Sequence, residues 1–174
     1  EMIMTLRNLS LLFISLFILA ACGGGGGGST TPPTAGCSPS TTNLCITVVG
    51  GKYVVQNSSS AGVSQKTLTL NAGTYTFDQT DSSNVTPGGA YGSARIHQIG
   101  FSTTTDGTHG GGSAYSTGVN TSGSPGSNGK TTIVIDASTP STLYYYCLNH
   151  TGMGGTINIV IGNQSDQVEF TETN

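Results

Sequence analysis

An all-β, two-sheet antiparallel sandwich of Greek-key type is the fold that three observations predict. Charged residues are only 7% of the 174-residue chain and glycine alone supplies 27, whereas soluble helical proteins use more Ala, Leu, Glu and Lys. Apolar, β-branched and aromatic runs are short and are separated by breaks rich in Gly, Ser, Pro, Asn and Asp. No stretch keeps its apolar residues at helical spacing.

The first segment reads as a targeting device. Arg7 is the only basic residue ahead of an apolar run from Leu9 to Ala21, which suits a secretory signal and is short for a membrane span. It ends Leu19-Ala20-Ala21-Cys22, which resembles the bacterial lipobox. In that reading residues 1–21 are a signal peptide, Cys22 is lipidated, and its acyl chains anchor the protein to a membrane; the alternative is an ordinary signal peptide. The expected location is across the inner membrane, periplasmic or at the outer surface. Residues 22–43 then form a Gly/Ser/Thr/Pro-rich tether, with a flexible reach of about 20 Å.

The domain is expected over 44–162. Strands are predicted at 44–49, 52–56, 66–70, 74–78, 95–102, 131–136, 142–147 and 156–161, with a last strand over 167–171 inside a C-terminal tail, 163–174. Turn chemistry separates them: Gly50-Gly51, Asn71-Ala72-Gly73, Pro87-Gly88-Gly89 and Ser124-Pro125-Gly126. Residues 103–130 read as a long loop with room for short helical turns.

Four cysteines are present. With Cys22 taken by lipid, three remain, so one pair leaves one thiol over. In Leu44-Cys45-Ile46 alternation turns Cys45 away from the apolar set, and a Cys37–Cys45 disulfide would pin the tether to the first strand. The competing pair is Cys45 with Cys147.

Chemistry concentrates in Leu143-Tyr144-Tyr145-Tyr146-Cys147-Leu148-Asn149-His150-Thr151-Gly152-Met153-Gly154-Gly155. Thiolate, imidazole and thioether in so short a stretch are the donors that copper prefers. Strand parity puts Leu143, Tyr145 and Cys147 on the core face and leaves Tyr144 and Tyr146 on the other. The same rule groups Arg95, His97, Ile99 and Phe101, so His97 points inward as the second imidazole. Gly152, Gly154 and Gly155 can take the φ values a tight wrap needs. His109, in a Gly-rich loop, reads as a surface histidine.

His97-Gln98-Ile99-Gly100-Phe101 is similar to the run carrying the first histidine of plastocyanin-like proteins, and Tyr145-Tyr146-Cys147-Leu148-Asn149-His150 resembles their Phe-Tyr-Cys-x-x-His. A closer resemblance spans roughly 66–161. It is carried by Gly73-Thr-Tyr-Thr-Phe-Asp78-Gln79, Phe101-Ser-Thr-Thr-Thr-Asp106-Gly107-Thr108-His109-Gly110, and Tyr144-Tyr-Tyr-Cys147 through Met153-Gly-Gly155. These look like a cupredoxin-like domain of environmental microbial sequences.

The resemblance implies one mononuclear copper held by His97, Cys147 and His150, with Met153 as a long axial ligand. It also implies an electron port at the His150 edge, and Tyr146 on the outward face would shape a docking surface for a redox partner protein. Only Thr151 and Gly152 separate His150 from Met153, a spacing shared with the CuA domains of oxidases. Those carry two cysteines where this loop has one, which argues against a dinuclear centre. The segment from Val85 to Ile96 is longer than in the nearest relatives and reads as a looped insertion.

No carboxylate pair or nucleophile–base pair is evident, so the protein is expected not to be an enzyme. A net charge of −3 without a basic patch speaks against nucleic-acid binding. The expected function is a lipid-anchored, monomeric blue-copper carrier of single electrons. The alternatives are copper storage or delivery, and a copper-free structural or adhesion module of the cell surface.

Overall fold

The computed structural model describes residues 36–88 and 94–162. The signal segment, Cys22, nearly all of the Gly-rich run that follows it and the strand expected at 167–171 lie outside these residues. Strands β1 (Asn43–Val49) and β2 (Lys52–Asn57) form a hairpin. Gly50 and Gly51, at φ 57° and 73°, supply the two left-handed residues that such a two-residue turn requires. Then come β3 (Ser60–Ser64), β4 (Leu68–Asn71), β5 (Gly73–Asp78), β6 (Val85–Thr86) and β7 (Arg95–Ile96). The rest are β8 (Ile99–Ser102), β9 (Ala114–Tyr115), β10 (Val119–Ser122), β11 (Lys130–Ile135), β12 (Thr142–Cys147) and β13 (Gly155–Val160).

Two sheets make the sandwich, in the orders β10-β11-β5-β1-β2-β3 and β4-β13-β12-β8-β9. The chain passes from one sheet to the other after β3, after β4, after β5 by way of the β6–β7 pair, after β9 and after β11. Most neighbours are antiparallel, but β1 pairs β5 and β13 pairs β4 in parallel. The expected antiparallel sandwich is mixed at these two pairs, where chain segments that cross to the opposite sheet intervene, so the partners can run the same way.

Alternation of buried and exposed residues is clear in β11 and β4, and the inward sets close one core. Leu44, Ile46, Tyr53, Val55, Phe77, Ile99, Phe101, Ile133, Leu143, Tyr145 and Ile157 are its nearly inaccessible members. Phe77 packs edge-on to Phe101 at 5.0 Å, a favourable aromatic geometry. Cys147 and Met153 belong to the same cluster, so the candidate centre grows out of one end of the core.

Three expectations change. The strand predicted over 95–102 is two strands, β7 and β8, with His97 and Gln98 between them in neither. The segment before His97, expected as a looped insertion, holds the β6–β7 pair, Val85 opposite Ile96 and Thr86 opposite Arg95. Segments expected as loops hold β3, β9 and β10, while a 3₁₀ turn at Gly107–Gly110 takes up the room left for a short helical turn in 103–130.

Cys37 and Cys45 are disulfide-bonded, with Cα atoms 5.9 Å apart. Cys45 is buried yet outside the core cluster, as its parity implies. Among the described residues Cys147 is the free cysteine, and it is buried; the Cys45–Cys147 alternative is thereby excluded.

Candidate metal centre

Cys147 ends β12, where the aromatic run has paired with β13 on one side and β8 on the other. Beyond it the chain leaves the ladder and is tied back at once. The Leu148 amide donates to the Gln98 carbonyl at 2.9 Å, and the Asn149 side-chain amide donates to the Ile96 carbonyl at 2.7 Å. The turn carrying His150 is thus fastened to the segment carrying His97.

His97 is positioned by side chains. Its amide donates to the Asn84 carbonyl at 2.9 Å. Its carbonyl accepts from the Tyr53 hydroxyl at 2.8 Å and from the Gln79 amide. Gln79 is fully buried and also donates to Asn84 Oδ1 at 3.0 Å, while its own oxygen accepts from the Ile99 amide at 3.0 Å. Asn84, likewise fully buried, donates to the Ile46 carbonyl at 2.8 Å. Buried amides satisfied this completely fix a backbone in one place.

The imidazole of His97 has Nε2 3.0 Å from the Thr86 hydroxyl and Nδ1 3.9 Å from Cys147 Sγ. A hydrogen on Nε2, donated to Thr86, leaves the Nδ1 lone pair facing the sulfur. Burial holds this histidine below its ordinary pKa, and His150 and Arg95 push the same way. Neutral imidazole is the form that ligates a metal.

His150 Nδ1 lies 3.5 Å from Cys147 Sγ, and the two imidazole rings are 4.7 Å apart. One donor atom from each of His97, Cys147 and His150 can be chosen so that all lie within 4.8 Å of one another. Bonds of about 2.0–2.3 Å arranged trigonally around one ion put donor atoms about 3.7 Å apart. The two sulfur–nitrogen distances bracket that value, so the residues fit a metal ion.

Met153 is 2% exposed and lines the same cavity of about 650 Å³ as His97 and His150. Its carbonyl accepts from the Tyr53 amide at 2.9 Å. Of the loop glycines only Gly152 has a positive φ, 71°. Gly154 and Gly155 are needed for room, because a Cβ at either would overlap Tyr145.

Tyr146 corrects an expectation. It lies on the face away from the core, as parity requires, but it is 0% exposed and therefore shapes no docking surface. The segment after β8 covers it: a Cβ on Gly107 would overlap its ring, and His109 stands edge-on at 6.2 Å. His109 is exposed, yet its Nε2 lies 3.0 Å from the Cys147 carbonyl, and it lines the cavity with the other two histidines.

Gln79, Asn84, Thr86 and Tyr53 did not stand out as site residues from the sequence. Gln79 had a signal: it continues the inward parity of Tyr75 and Phe77, so a polar side chain was due to enter the core there.

No protein-family model matches the chain, and no curated protein matches it. The fold and the His–Cys–His cluster are compatible with a cupredoxin-like protein.

Proposed function

We propose that this protein is a mononuclear copper protein that carries single electrons. One observation carries the reading: a free, buried thiol faces two imidazole nitrogens at 3.5 and 3.9 Å, at one end of a closed β-core. A soft thiolate beside borderline imidazoles selects copper over hard cations. Met153, buried and lining the same cavity, would offer a thioether as a further donor.

Bound copper would supply a one-electron Cu(I)/Cu(II) couple. The chain's own residues do the rest. Cys147 is set by a strand paired on both sides, and His97 by the Gln79–Asn84–Tyr53 network, so the donors move little as charge changes. Thr86 keeps the His97 proton on the nitrogen away from the sulfur. The half-buried His150 offers an imidazole edge through which an electron could reach a redox partner protein.

Within the same reading, Cys22 is lipidated and the Gly-rich tether holds the domain off a membrane, in the periplasm or at the outer surface. The protein acts as a carrier and not as an enzyme.

Titrating the purified domain with Cu(II) tests this. Uptake of one equivalent with an intense thiolate-to-copper band in the visible, and a reversible couple by voltammetry, is the expected result. Tight Cu(I) binding without a reversible couple would replace electron transfer by storage or delivery. No stoichiometric uptake by reduced, folded protein would leave a structural or adhesion module.

A further inference from the structure

The segment between β8 and β9 holds a motif that the copper reading does not use, Asp106-Gly107-Thr108-His109. Asp106 is left-handed at φ 59° and opens the 3₁₀ turn Gly107–Gly110, yet its side chain makes no capping bond to that turn. An aspartate in this place ordinarily satisfies the free amides of its own turn. Here the carboxylate reaches across to the ligand loop instead. It accepts from the Thr151 hydroxyl and, through both oxygens at 2.9 Å, from the Gly152 amide.

The other side of Gly152 is pinned as well. Its carbonyl accepts from Lys52 Nζ and, at 3.1 Å, from the Gln65 side chain, which also donates to the Gly154 carbonyl at 2.8 Å. His109 Nε2 lies 3.0 Å from the Cys147 carbonyl, and because a carbonyl only accepts, this nitrogen carries the hydrogen. The one segment therefore grips the chain on both sides of His150: at the Cys147 carbonyl before it, and at the Thr151 hydroxyl and the Gly152 amide after it.

We propose that Thr103–Gly112 is a strap that presets the donor spacing of the centre, with Asp106 as its positioning residue. The inference rests on the functional reading above. With only two residues between His150 and Met153, a shift at Thr151 or Gly152 moves both side chains together. A charge-assisted bond to that amide is stronger than a neutral one, so the loop is held in place without needing metal to order it.

Two variants test the strap. Asp106→Gly removes the carboxylate while keeping the left-handed backbone free of strain. Asp106→Asn keeps one acceptor oxygen and tolerates the same φ. In the metal-free domain, NMR is expected to show the Gly152 amide exchanging about tenfold faster or more in Asp106→Gly, with Asp106→Asn between that and wild type. The His150 ring resonances should shift in the same order. In the copper-loaded domain the thiolate-to-copper band and the reduction potential should move in that order too.

Unchanged Gly152 exchange in Asp106→Gly would overturn the strap. So would faster exchange that leaves the His150 resonances, the band and the potential at wild-type values, since Asp106 would then support the fold alone. If wild type takes up no copper, the functional reading fails by itself. The exchange and ring resonances of the metal-free protein then decide the strap. Should Asp106→Gly not fold, Asp106→Asn carries the same comparison.

Discussion

Cys147 and His97 meet across 3.9 Å, yet they are held in different ways. Cys147 is the last residue of a strand flanked by β8 and β13, so many backbone hydrogen bonds share the task of placing it. His97 sits in the gap between β7 and β8, and a few buried side chains hold it. A ladder is redundant, and losing one side-chain bond near it changes little. A network of buried amides is the opposite, because each member leaves another unsatisfied when it is lost.

The largest expected effect falls on the network. Gln79→Leu strips the donor from Asn84 and the His97 carbonyl and the acceptor from the Ile99 amide, and should cost about 3 kcal/mol in urea unfolding. A loss below about 1 kcal/mol would mean that His97 is held by something else. Next comes Thr86→Val, which removes the partner of His97 Nε2. It should weaken metal affinity roughly tenfold or more and, at an exposed position, barely move the melting temperature. Equal losses in both readouts would make Thr86 a fold residue.

On the ladder side, Tyr145→Phe deletes a single bond, from the hydroxyl to the Lys66 carbonyl at 2.9 Å. Its cost should be about 1 kcal/mol, with metal affinity unchanged; a cost equal to that of Gln79→Leu would erase the contrast.

The smallest effect is a pH dependence beside Gln79. Burial acts to raise the Asp78 pKa, but the Thr80 hydroxyl and amide and the Lys130 ammonium at 3.2 Å outweigh it, so the carboxyl stays below its ordinary value. The unfolded chain then binds the proton more readily than the folded one. Asp78 contributes stability above an unfolded pKa of about 3.9 and loses it as pH falls through the lower folded value. Unfolding curves of Asp78→Asn should be flatter than wild type across that acid window; identical slopes would contradict the assignment.

The same contrast explains what could be read from the sequence. Period-two patterning carries β11, β12 and β13, and with them the inward face of Cys147, because a sheet writes its geometry into alternation. Parity also put Tyr146 on the far face. Its burial was hidden because the covering strap is set by long-range contacts through Gly107 and His109. The break in the strand at His97 was hidden for a related reason. Alternation continues through Arg95, His97, Ile99 and Phe101, while the His97 amide bonds to Asn84, thirteen positions earlier in sequence. The disulfide lay between these cases: cysteine counting left two pairings, and spatial proximity selects Cys37–Cys45.

Copper-edge X-ray absorption on the copper-loaded domain tests the central claim most directly, because it counts the atoms bound to the metal. One sulfur and two imidazole nitrogens in the first shell, with the sulfur lost in Cys147→Ser, is the result this account predicts. A shell of oxygen and nitrogen alone in the wild-type protein would contradict it.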